Sequence, residues 1–218
     1  MTNSKFNMAA KLVATVGAAI FAAASSAAAA EITFSNPGEI LIPATGTSGD
    51  ANPFPSEIEV SGITNVTDVD VVLNGLSHTW SGDLEIFLVG PTGDTVVLMA
   101  DVGGSANWTN DTVRFSDGAP TSFAPGSDGT YGPTGSCENS GCVGAGYLLS
   151  VFNGLDLNGV WSLYVYDDVV GDVGRIAEGW SLIFSADAIS EVPVPAALLL
   201  FMTGAAGLGF GAKRRKSA

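Results

Sequence analysis

The middle of the chain alternates apolar and polar residues with a period of two. Ser56-Glu57-Ile58-Glu59-Val60 opens the pattern. Val69, Val71 and Leu73 then form one apolar row, with Asp68 and Asp70 on the other side. Leu84, Ile86 and Leu88 repeat it, the turn Gly90-Pro91-Thr92-Gly93-Asp94 follows, and Val96 to Met99 reads as the return strand of a hairpin. Val113 and Phe115 mark another strand, and Leu148 to Phe152 is a short apolar run. Trp161, Leu163 and Val165 share a face opposite Tyr164 and Tyr166, and Trp180, Leu182 and Phe184 make the last row. Period two predicts strands with one dry face each. Several such strands separated by Gly, Pro and Asp turns predict an all-β chain folded as two packed sheets. The stretch from Gly103 to Gly146 is rich in Gly, Ser, Thr, Pro and Asn. It is too long for an ordinary connection and predicts a functional loop or an insertion with sparse strands.

Charge separates the two ends from the body. Six of the eight Lys and Arg residues are terminal: Lys5, Lys11, Lys213, Arg214, Arg215 and Lys216. Between Glu31 and Glu191, Arg114 and Arg175 stand against all 22 acidic residues, a formal charge of −20. Each basic cluster flanks an apolar run. Residues 1–30 read as a secretory signal peptide: a positive start, an apolar segment from Leu12 to Ala24, and a small-x-small site at Ala28 and Ala30. At the other end, Val192-Pro193-Val194-Pro195-Ala196 precedes sixteen apolar or small residues from Ala197 to Ala212, then Lys213-Arg214-Arg215-Lys216. Such a run is about 24 Å long as a helix, slightly short of a hydrocarbon core of ~30 Å. Pro195 suits a helix start, and the basic cluster stays cytoplasmic. The organisation is then a signal peptide (1–30), a β-sandwich (31–187), a linker (188–195), a transmembrane helix (196–212) and a basic tail (213–218).

Pro-x-Pro, one short span and a terminal basic cluster together resemble the PEP-CTERM sorting tail and its VPLPA-type variant. That resemblance implies export, transient membrane anchoring, and cleavage near Pro193-Val194-Pro195 by an exosortase-type sorting protease. Val194 stands where that family usually carries Glu.

The body resembles a second family. Pro53-Phe54-Pro55-Ser56, Leu73-Asn74-Gly75-Leu76-Ser77-His78-Thr79, Gly82-Asp83-Leu84-Glu85-Ile86-Phe87-Leu88-Val89-Gly90-Pro91, Leu148 to Gly159, Trp161 to Asp168 and Gly179-Trp180-Ser181-Leu182 are together similar to the P domain (homo B domain) of proprotein convertases. The resemblance covers Phe34 to Ala186. It implies a jelly-roll β-sandwich of galactose-binding-like shape, a place behind a catalytic domain or in secreted bacterial proteins, and calcium binding in some members.

The chemistry on offer is that of carboxylates. Phosphate and anionic membranes are repelled by such a body, which excludes nucleic acid as its partner. His78 is the single histidine, and no Gly-x-Ser-x-Gly turn accompanies it, so a Ser-His-Asp triad is not indicated. Among 22 acids, pairs suited to glycoside hydrolysis arise by chance. No enzyme activity is expected. Calcium takes six to eight oxygens, and Asp beside Gly in turns supplies carboxylates with accessible carbonyls. Asp83, Asp101 and Asp117 form the first candidate calcium set, and Asp167, Asp168 and Asp172 a second. The alternative for each Asp is turn formation through bonds to nearby N–H groups. Cys137 and Cys142 are the only cysteines and, in an oxidising compartment, predict a local disulfide worth about 2 kcal/mol or less. Trp80 and Trp108 fall in or near loops, where they either stack on sugar rings or pack inward; Trp161 and Trp180 are core candidates. The sequence thus predicts an exported surface or matrix module with a binding or structural role. Extracellular polysaccharide is one partner class; the alternative is an accessory module acting on a secreted serine protease.

Overall fold

The computed structural model describes residues 30–43, 45–134, 146 and 148–186. The signal peptide, the cysteine pair, Val192–Ala196, the apolar span and Lys213–Lys216 lie outside the described residues, apart from Ala30. Among those described there is no α-helix, and no helix is long and apolar enough to cross a membrane.

Among the described residues twelve strands build two sheets: β1 (Ala30–Asn36), β2 (Ile40–Ile42), β3 (Gly49–Asp50), β4 (Ser56–Val60), β5 (Val66–His78), β6 (Leu84–Val89), β7 (Thr95–Ala100), β8 (Trp108–Phe115), β9 (Gly129–Tyr131), β10 (Gly159–Asp167), β11 (Gly174–Ile176) and β12 (Trp180–Ala186). The seven-stranded sheet is organised by the long β5. On one side β12 pairs with its first half and β11 with its last three residues; β1 extends from β12 and β2 from β11. On the other side lies β8, with β9 parallel to it. In the five-stranded sheet β10 is flanked by β6 and then β7 on one side, and by β4 and β3 on the other.

Alternation makes both inner faces apolar. Val69, Val71 and Leu73 of β5 and Leu182 and Phe184 of β12 meet Ile86, Leu88, Trp161, Leu163 and Val165 of the other sheet in one buried cluster. Trp161 packs edge-on to Phe184 across the layers at 5.6 Å. The Trp180 indole donates to the Ser56 hydroxyl at 3.0 Å, tying the sheets with a satisfied buried bond.

One local departure stands out, and two readings left open by the sequence are decided. Leu148–Phe152 contains a 3-10 turn (Leu149–Phe152) instead of a strand, and Leu149 and Phe152 are the residues it buries. The Gly103–Gly146 stretch contributes β8 and β9, so part of it is sheet. Trp108 is buried between Phe123 and Tyr131, which removes it from the sugar-stacking candidates and leaves Trp80, whose side chain is exposed.

Candidate metal centre

The ladder around β6 decides which acids meet. Leu84 of β6 pairs with Asp167 of β10, and Glu85 pairs with Ala100 of β7. The next residue of each flanking strand, Asp168 and Asp101, therefore comes level with the start of β6. Two backbone bonds fix this: Asp168 N–H to the Asp83 carbonyl at 3.0 Å, and Asp101 N–H to the Leu84 carbonyl at 3.2 Å. Asp101 has a left-handed φ of 53°, a conformation that Asp tolerates, and it turns the chain directly after β7. As a result Glu85, Asp101 and Asp168 place carboxylate oxygens within 4.8 Å of one another.

The electrostatics of the group are those of crowded anions. Glu85 is fully buried, whereas Asp101 and Asp168 are exposed. Desolvation, then the charges of Asp101, Glu85 and Asp83, push Asp168 up to about 6. Asp83 is also raised, first by burial and then by Asp167 and Asp172. Like charges brought together with partial loss of water disfavour ionisation in this way.

The inner end of the sandwich is closed by a different pair. Asp167 follows Trp161, Leu163 and Val165 on the inward row of β10 and meets His78 at the end of β5. His78 Nε2 lies 3.2 Å from Asp167 Oδ2, both side chains are fully buried, and His78 Nδ1 lies 2.7 Å from the Trp80 carbonyl. Burial raises the Asp167 carboxyl, opposed by His78 and by the Val169 N–H. His78 is thus held at a strand end by hydrogen bonds, with no serine hydroxyl bonded to it among the described residues.

The two sequence-predicted calcium sets are redistributed. Asp101 and Asp168, one from each, come together with Glu85, which belonged to neither. Asp83 borders them and offers its backbone through the bond to Asp168. Asp117 stands elsewhere: its carboxylate accepts the N–H groups of Leu149 and Ser150, both at 2.8 Å. Asp167 faces the interior. Asp172 acts on Asp83 and Asp167 through its charge, outside the three-carboxylate group. Glu85 is masked in the sequence by its place on the polar side of a strand; its burial arises from strands joined only in three dimensions.

Residues 66–184 match the profile of the proprotein convertase P-domain. The chain belongs to that family. The match spans the strands from β5 into β12, including every residue of the carboxylate group and the His78–Asp167 pair. The P domain is a non-catalytic accessory domain. No curated protein matches the chain. Among solved structures, the complex of Aeromonas sobria serine protease and its chaperone aligns with 17% identity and a TM-score of 0.36, over 73% of this chain and 27% of that one.

Proposed function

We propose that this P domain is an exported, non-catalytic module whose fold is locked at one end by a divalent cation, calcium by donor chemistry. The observation that carries the cation is the convergence of Glu85, Asp101 and Asp168 from three adjoining strands. The donor set is hard oxygen only, which suits calcium and not zinc. A cation there offsets the repulsion that raises Asp168. Glu85, Asp101 and Asp168 would hold the ion, and loop backbone at Asp83 lies beside them. The ion supplies charge neutralisation and cross-links β6, β7 and β10.

The termini set the location. A signal peptide at 1–30 and a Val192–Ala196 motif before an apolar span and Lys213–Lys216 fit delivery through the envelope, transient anchoring and release by an exosortase-type protease. Glu31 pairs with Ser185 within the β1–β12 ladder, so a chain beginning at Glu31 loses only the terminal Ala30–Ala186 pair. The module then works at the cell surface or in an extracellular polysaccharide matrix. Membership of the P-domain family favours a second reading, an accessory role beside a secreted serine protease. Mass spectrometry of the protein recovered from the medium, with sedimentation against matrix polysaccharide, separates these. A chain starting at Glu31, ending near Pro195 and sedimenting with polysaccharide supports the first reading. An uncut chain isolated with a protease favours the second.

A further inference from the structure

The outer face of the seven-stranded sheet carries a feature unrelated to the carboxylate group. Val72 of β5, Arg114 of β8 and Thr130 of β9 are consecutive partners across the ladder. With Thr112, Asp128 and Gly129 they line an open trough of about 540 Å³. That is within the range of small-ligand sites.

Arg114 is held at its centre. Its Nε and Nη2 both donate to Asp70 Oδ2 of the neighbouring strand, and the Asp70 side chain is buried beneath it. A planar guanidinium fixed along one edge retains Nη1 as a pre-oriented donor, and the Arg114 side chain is 37% exposed. Asp128 is fixed as well, its Oδ1 accepting the Thr112 N–H at 2.6 Å. The exposed Thr112 and Thr130 side chains present hydroxyls that make no hydrogen bond among the described residues.

Charge selects the ligand class. Asp70 neutralises Arg114, and Asp68 and Glu31 stand within its electrostatic reach. An anion therefore meets net negative charge, and a cation meets a guanidinium edge. A neutral polyhydroxyl compound suits both: it accepts from Arg114 Nη1, donates to Asp128 Oδ2, exchanges bonds with the two threonines, and lays a C–H face on Val72. We propose that this trough binds neutral glycan. The assignment rests on the matrix reading above, and it gives that reading a face of the molecule distinct from the carboxylate group.

Affinity electrophoresis of the full chain tests it, through gels containing neutral polysaccharide and parallel gels containing polyuronate. Retardation by a neutral gel is expected. The double variant Thr112→Val/Thr130→Val keeps β-branched shape, so it should melt as the parent and lose at least tenfold in affinity. Arg114→Lys, which retains the charge beside Asp70 but not the fork, should also weaken retardation and reads out if the double variant misfolds. Equal retardation of parent and variants overturns the trough and leaves the matrix reading standing. Retardation by polyuronate alone overturns the neutral-glycan assignment. Retardation by neither removes both.

Discussion

Glu85 and Asp168 bring their carboxylates within 4.8 Å of each other across the β6–β10 ladder, although one side chain is fully buried and the other exposed. An arrangement of this kind is costly when both are ionised, and Asp168 registers the cost by its rise to about 6. The same proximity makes the site attractive to a cation.

A pH dependence follows when divalent ions are chelated. The folded-state pKa of Asp168, about 6, lies above its ordinary value of 3.8. Between these values the native state holds a proton that the unfolded state has released, so stability falls as pH rises through this window. The contribution is full below the ordinary value and lost above about 6. Asp83 and Asp167 are raised as well and act in the same direction. In chelator, the melting temperature should increase as pH falls from about 7 to 5. Asp168→Asn should raise melting at neutral pH and flatten the slope; an unchanged slope would show that Asp168 is not the titrating group.

The His78–Asp167 pair joins the two sheets from inside, with Nε2 and Oδ2 separated by 3.2 Å. Removing one member of a buried pair leaves the other without its partner, at about 3 kcal/mol or more. Asp167→Ala should cost that much in chemical denaturation, with no change in affinity for glycan or cation beyond what lost folding explains. A loss under about 0.5 kcal/mol, the scale of a surface substitution, would mean that this contact is not holding the layers.

Gly179 precedes β12 with φ of +68°, and a Cβ there would lie 2.0 Å from the Asn36 carbonyl oxygen and 2.9 Å from that of Gly38. No side chain fits without moving the β1 end of the sheet. Gly179→Ala should therefore lower stability by about 3 kcal/mol or more, or prevent accumulation of folded protein. Circular dichroism melts would register this; a variant that melts like the parent would contradict the close approach.

The two sheets were largely legible in the residues, because alternation leaves a mark wherever one face of a strand is dry. Trp161, Leu163 and Val165, and Trp180, Leu182 and Phe184, point inward as their spacing predicts. Short strands escaped: β2, β3, β9 and β11 have two or three residues each, too few to display a period. Asp167 and Asp168 illustrate information present but unused. Tyr164 and Tyr166 face outward, so the same alternation sends Asp168 outward and Asp167 inward, and the two cannot share one site. Glu85 was illegible for another reason. Its meeting with Asp101 and Asp168 depends on the β6–β10 and β6–β7 registers, and pairing between strands some 80 residues apart in sequence is not written in local pattern. Asp117 has the Asp-Gly context of a ligand, yet its oxygens serve the 3-10 turn at Leu149, the ordinary structural use of Asp.

Calcium titration of the full chain by isothermal calorimetry, beside the Glu85→Gln and Asp168→Asn variants, tests the metal centre most directly. Saturable binding near one ion per chain is expected, raising stability by about 2.7 kcal/mol at a hundredfold excess over Kd. Both variants should lose that binding and the accompanying rise in melting temperature. Absence of calcium heat in the parent, or undiminished binding in both variants, would contradict a cation held by Glu85, Asp101 and Asp168.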